Sequence, residues 1–146
     1  MKAESKMLFG WFVALMLASP SVSCKRHTTI TYIVPNGFRG IIKIHAERHD
    51  GATSRTASGD FMLRIPDSGE LAILEPLPTT EWHQKIIRTR DGTPIVEWHN
   101  GERIPDTAIV FRPVTRISST EEWFVVGTLD DVGAALKKAH GFTIDR

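Results

Sequence analysis

From Thr28 onward, apolar and polar residues alternate with a period of two, and turn residues interrupt this pattern about every eight to twelve positions. A period of two is that of a β-strand with one buried face, and regularly spaced short strands are typical of sandwiches and small barrels. The sequence therefore predicts an all-β protein, an antiparallel β-sandwich of about seven to eight strands. The candidate strands are 28–34, 40–49, 61–65, 71–75, 84–90, 93–99, 108–114 and 122–126, with 84–90 and 93–99 paired as a hairpin.

One short C-terminal helix is predicted at about 129–140. Thr128 is a suitable N-cap, and Leu129, Val132 and Leu136 recur at helical spacing before Gly141. Because this apolar stripe is narrow, we expect the helix to pack on an edge or end of the sheet rather than to build a second domain.

The first 23 residues have the composition of a secretory signal peptide. Lys2 and Lys6 precede an uncharged run at 8–18, and small residues follow it. Eleven residues of helix are too short to cross a bilayer core of about 30 Å. We therefore predict a signal peptide at 1–23 and a single sandwich domain at 24–146. The mature domain is formally neutral, and it lacks the clustered basic charge that nucleic-acid binding requires.

Cys24 is the only cysteine in the chain, and it lies where the signal ends. The segment "SVSC" is similar to the lipobox of bacterial lipoproteins, in which the cysteine carries a lipid. Ser21 departs from that pattern, which usually has Leu, Val or Ile there, and Ser21 with Ser23 also suits ordinary signal peptidase. Two alternatives stay open: lipid attachment at Cys24, or soluble export. Either places the protein in the periplasm, at the outer membrane or at the cell surface.

The run "HAERH" at 45–49 suggests a metal site at His45, Glu47 and His49. On a helix, histidines four residues apart share one face and can bind one zinc ion. On a strand the same spacing covers about 13 Å, which is too far for both to bind one ion. We therefore interpret the run as the solvated face of a strand whose buried face carries Ile42, Ile44 and Ala46.

The remaining candidates are weak binding residues near two tryptophans. His83 and His99 follow Trp82 and Trp98, and they would approach each other across the predicted hairpin if its register allowed. Trp82, beside a proline-rich loop, is the tryptophan that we most expect to be exposed. We expect the other aromatic residues, Trp98, Phe111, Trp123 and Phe124, to pack in the core.

Two segments carry a resemblance to a known family. "YIVPNGFRGIIKI" and "GDFMLRIPDSGEL" resemble turns of an uncharacterised family of small exported bacterial domains, and more loosely the transthyretin-like sandwiches. The resemblance implies a β domain and export, and it brings no catalytic residues. What the segments share with that family is the geometry of their turns. Gly37 and Gly40 permit sharp backbone bends, and Phe38 covers the core.

The sequence contains no Gly-x-Ser-x-Gly elbow and no phosphate-binding glycine loop, and we assign no catalytic residue and no cofactor. The favoured hypothesis is a non-catalytic binding or structural module of the bacterial envelope with a protein or glycan partner. It would meet the membrane only through the N-terminal lipid. One alternative is a carbohydrate- or peptide-binding domain that uses Trp82. The other is a metal-dependent hydrolase that uses His45, Glu47, His83 and His99.

Overall fold

The computed structural model describes residues 27–47, 49–78 and 82–140, so the predicted signal peptide and Cys24 lie outside the described residues. These described residues form eight strands and one helix in chain order: β1 (Thr28–Val34), β2 (Gly40–Ala46), β3 (Phe61–Arg64), β4 (Glu70–Ile73), β5 (His83–Thr89), β6 (Val96–Glu97), β7 (Val110–Ser118), β8 (Glu121–Gly127) and α1 (Leu129–His140). The strands form a three-stranded sheet in the order β3-β1-β5 and a five-stranded sheet in the order β4-β2-β8-β7-β6. The predicted all-β sandwich with one C-terminal helix is confirmed.

The predicted antiparallel pairing is wrong for most of the strands. β1 pairs in parallel with both β3 and β5, β2 with β4, and β6 with β7; only the pairs of β8 with β2 and β7 are antiparallel. From β1 to β6 the chain changes sheet at every connection and reverses its direction each time. Strands that share a sheet are therefore every second strand of the chain, and they run the same way.

The predicted hairpin shows this crossing in detail. Its turn is present, since the Thr89 N–H donates to the Thr93 carbonyl at 2.8 Å and the Ile95 N–H to the Ile87 carbonyl at 2.9 Å. The chain then leaves β5 and enters the opposite sheet as β6, which pairs with β7. The second hairpin strand, predicted at 93–99, is thus reduced to Val96–Glu97.

The main core lies between the two sheets. Its centre is an aromatic cluster in which the ring of Tyr32 lies 4.9 Å from that of Phe111 and 5.3 Å from that of Phe124, centroid to centroid. Ile42 and Ile44 are buried in this core, and Ala46 packs against it, as the alternation of β2 predicts.

A second core lies on the other face of the five-stranded sheet. Val110, Val114 and Val125 point away from the aromatic cluster and pack with Val132 and Ala135 of α1. The helix therefore covers a sheet face rather than an edge or end, which corrects the expectation from its narrow stripe. The reason is that β7 and β8 carry apolar side chains on both faces. One face is buried by the other sheet and the second is buried by α1.

The start of α1 is capped by a carboxylate three residues into the chain from Thr128. The Asp131 carboxylate accepts hydrogen bonds from the Thr128 N–H at 2.8 Å and from the Thr128 hydroxyl at 3.0 Å. Satisfying the free N–H at the helix start fixes where the helix begins. Thr128 is thus the N-cap, as predicted.

Candidate functional site

A polar cleft opens between the two sheets where β5 and β6 form edges of opposite sheets. Along β5 the residues alternate, so His83, Lys85 and Ile87 face the other sheet while Gln84 and Ile86 face solvent. Ile87 is buried in the core, but His83 and Lys85 are only partly buried. The inward face of β5 thus changes from apolar to polar toward its first residue, and this change creates the cleft.

The cleft has two connected parts. The inner part, of about 300 Å³, is lined by side chains that include Tyr32, Thr115, Glu122 and Phe124. The outer part, of about 280 Å³, is lined by Trp82, His83, Lys85 and Glu97. His83 and Lys85 line both parts, so the two form one cleft that runs from the exposed surface to the aromatic cluster.

The Tyr32 hydroxyl lies at the inner end of the cleft. The side chain has no exposed surface, and its hydroxyl has no hydrogen-bond partner among the described residues. Burial raises the pKa of Tyr32 well above its ordinary value, and the negative charges of Glu122 and Glu97 raise the pKa further. The hydroxyl therefore stays protonated, and it can donate one hydrogen bond and accept others.

Lys85 lines both parts of the cleft, and its ion-pair partner Glu97 lines the outer part. Lys85 Nζ lies 2.6 Å from Glu97 Oε1, and the side chains are only 22% and 17% exposed. Because each charge is compensated by the other, the pair offers hydrogen-bonding atoms to a ligand without leaving a lone charge in the cleft.

Trp82 stands at the mouth of the cleft. Its side chain is 70% exposed, as the sequence analysis expects. The His27 ring packs against the indole at a centroid distance of 4.1 Å and an interplanar angle of 65°. This edge contact holds the indole while leaving a face open to solvent or a ligand.

The other predicted metal-site residues are only partly brought together. β2 ends at Ala46, so His49 lies in the following turn and not on the strand face where the alternation placed it. His45 Nε2 contacts Glu47 Oε1 at 2.9 Å. Within the part of the chain that the structure describes, no three histidine, cysteine or carboxylate side chains lie close enough together to hold one metal ion.

His83 and His99 do not meet across a hairpin, since β5 pairs with β1 whereas β6 pairs with β7. His83 lines the cleft, and His99 lies in the turn after β6, where its N–H donates to Glu102 Oε2 at 3.0 Å. Of the predicted binding residues, Trp82 and His83 therefore belong to the cleft.

The sequence analysis did not identify Tyr32, Lys85, Glu97 or Glu122. A signal for Lys85 was present, because it shares its strand face with Ile87 and a charged residue on a core-facing position is unusual. Tyr32 has a similar signal as the only tyrosine, flanked by Ile30 and Val34 on the same face.

No protein-family model matches the chain, and no curated protein matches it significantly. Among solved structures, the chain is similar to a Bacillus anthracis protein provisionally described as a lipoprotein. The two share 10% sequence identity over 83% of each chain, with a TM-score of 0.41. A likeness of this strength establishes neither a common family nor a common function. Within residues 27–47, 49–78 and 82–140, no helix is long and apolar enough to cross a bilayer.

Proposed function

We propose that this protein is an exported, non-catalytic binding module that holds a polar ligand in the cleft between its two sheets. The observation that carries the proposal is the buried Tyr32 hydroxyl, which faces the cleft without a hydrogen-bond partner among the described residues. An unsatisfied buried polar group costs about 1–3 kcal/mol. Because the hydroxyl has no accessible surface in the free protein, a ligand hydroxyl or carbonyl recovers that cost when the side chains that cover Tyr32 move aside on binding.

The ligand class that best suits the cleft is a glycan. The inner part, of about 300 Å³, has room for one sugar ring, and Tyr32, Thr115 and Lys85 supply donors and acceptors for its hydroxyl groups. Outside it, the open indole of Trp82 offers an apolar surface to a second ring. A peptide that adds to the edge strand β5 is the competing ligand.

Export and anchoring complete the proposal. The signal peptide at 1–23 directs the chain out of the cytoplasm, and a lipid on Cys24 then holds it at the membrane. Mass spectrometry of the mature N-terminus tests this part. A cysteine that carries acyl mass supports anchoring, whereas a free cysteine or another first residue establishes soluble export.

The binding proposal is tested on a glycan array with the mature protein, followed by titration calorimetry of each hit. Tyr32→Phe removes only the hydroxyl, and Trp82→Ala removes the indole at the mouth. We expect each to weaken glycan binding at least about tenfold, which corresponds to 1.4 kcal/mol.

The matched control is Ile86→Ala, because Ile86 lies on the same strand but faces away from the cleft and is 41% exposed. It should bind as the native protein does. If the native protein binds no glycan, or if Tyr32→Phe binds unchanged, the glycan proposal fails. Binding of an extended peptide instead would select the competing ligand.

A further inference from the structure

Cys24 and the first strand are separated by a very short stretch of chain. Only three residues, 25–27, lie between Cys24 and Thr28, where β1 begins. A fully extended chain covers at most about 3.6 Å per residue, so Thr28 lies within about 14 Å of Cys24 whatever the conformation between them. A lipid on Cys24 would therefore hold the β1-start end of the sandwich at the membrane surface.

The same end carries Trp82 and the mouth of the cleft. Thr28 is in parallel register with His83, which directly follows Trp82, and the His27 ring contacts the indole. The turn after Val34 lies at the opposite end, about 23 Å away for a strand of seven residues at about 3.3 Å each.

Exposed apolar side chains are also found at this end. Leu74 follows the last residue of β4 and is 39% exposed, and Ile117 is next to the last residue of β7 and is 51% exposed. β2, β4 and β7 all end where β1 begins, because they run opposite to β1. Trp82, Leu74 and Ile117 thus lie at one end of the sandwich, and tryptophan is enriched at the headgroup region of bilayers.

We propose that the protein stands on the membrane by this end, with Trp82, Leu74 and Ile117 in contact with the lipid headgroup region and the cleft opening beside it. The inference rests on the lipid attachment in the proposed function. Lys25 and Arg26, next to the anchor, add attraction to anionic headgroups. The glycan bound in the cleft is then one that is itself held close to the membrane.

The first test uses tryptophan fluorescence of the acylated protein, purified from membranes and reconstituted in vesicles with or without brominated phospholipid. The mature chain retains three tryptophans, Trp82, Trp98 and Trp123, since Trp11 leaves with the signal. We expect brominated lipid to quench the native emission strongly and that of Trp82→Phe much less, because Trp98 is buried and Trp123 is partly buried against the second core. Equal native emission in both vesicles would overturn the proposal.

A second measurement tests the orientation without any change at Trp82. Gln84→Cys and Ser68→Cys place one reactive thiol near the proposed membrane end and one at the opposite end, both at exposed positions. With a fluorophore on each, bilayer quenching at position 84 should exceed that at position 68 severalfold. Equal or reversed quenching would refute the orientation.

The mass of the mature protein shows whether the lipid anchor is absent or only the proposed orientation is wrong. An unacylated Cys24 would remove the anchor and with it this orientation. An acylated protein whose Trp82 stays unquenched would refute the orientation alone and leave the anchor intact. Glycan binding is measured in solution by calorimetry and is independent of both results.

Discussion

Lys85 and Glu97 join the two sheets of the sandwich by an ion pair, with Lys85 Nζ 2.6 Å from Glu97 Oε1. Lys85 belongs to β5 at the edge of one sheet, and Glu97 to β6 at the edge of the other. The main core between the sheets is apolar, whereas at this edge an ion pair joins them beside the cleft. The pair therefore contributes both to stability and to the shape of the site.

Glu97→Gln should lower the free energy of unfolding by about 2 kcal/mol, because it leaves the ammonium group of Lys85 largely out of water without its counter-charge. Urea unfolding measures the change. Glu75→Gln is the matched control, since Glu75 pairs with Arg55 at 3.3 Å with both side chains 52% exposed. An exposed pair contributes at most about 1 kcal/mol, and here we expect less than about 0.5. Equal costs at the two sites would contradict the bridging role of Glu97.

Tyr32 should not ionise while the protein is folded. Its pKa is raised in the folded state, so above pH of about 10 the unfolded chain loses the phenolic proton and the folded protein keeps it. The stability contribution of this group is therefore constant below pH 10 and falls above it, by at most about 1.4 kcal/mol per pH unit. Phenolate absorbance is an unambiguous measure, since Tyr32 is the only tyrosine.

In the alkaline titration, phenolate absorbance should appear together with the loss of the β-sheet circular dichroism signal. Tyr32→Phe should show a shallower fall of stability above pH 10. Phenolate formation near pH 10 with the sheet signal intact would show that the hydroxyl reaches solvent, and would contradict its burial at the inner end of the cleft.

The glycine of the "PDSG" turn is predicted to be far more sensitive than that of the "PNG" turn. Both have a left-handed backbone, with φ of +77° at Gly69 and +71° at Gly37. A Cβ at Gly69 would lie 2.6 Å from the Ile41 carbonyl oxygen and 3.0 Å from Phe38, whereas one at Gly37 would meet nothing within 4 Å. We expect Gly37→Ala to cost about 1 kcal/mol and Gly69→Ala about 3, measured by thermal unfolding. Similar costs would mean that the turn can move away from Ile41.

These turns also show which part of the fold follows from the sequence. The turns at 35–37 and 66–69 mark the ends of strands by their local backbone geometry. The sequence predicts β1 with the same boundaries that the structure shows. Strand pairing is different, because it depends on contacts between segments far apart in the chain. A turn such as Asp91-Gly92 reverses the chain whether the next strand stays in its sheet or crosses to the other one, so the parallel pairing could not be read from the turns.

Only the exposed part of the candidate site can be predicted from the sequence. The position of Trp82 beside a proline-rich loop predicts its exposure, because exposure follows from local sequence. Tyr32 and Glu122 meet in the cleft only because β1 and β8 face each other across the sandwich, and that arrangement follows from the crossing connections. Of the three residues of the metal candidate, His45 and Glu47 are in contact, whereas His49 lies in the turn beyond Ala46, where β2 ends.

Tyr32→Phe should raise stability while it weakens ligand binding. Removing a buried hydroxyl that has no partner among the described residues relieves an unsatisfied polar group, and the phenyl ring keeps its contacts with Phe111 and Phe124. We expect the free energy of unfolding to rise by about 1 kcal/mol in urea denaturation without ligand. The control is Tyr32→Leu, which loses the ring and should lower stability by about 2–3 kcal/mol. A fall in stability for Tyr32→Phe would show that the hydroxyl is hydrogen-bonded within the free protein. If the hydroxyl is retained for ligand binding, Tyr32→Phe should raise stability and weaken glycan binding together. A buried polar atom without a hydrogen-bond partner lowers stability, so it persists in a core where function requires it.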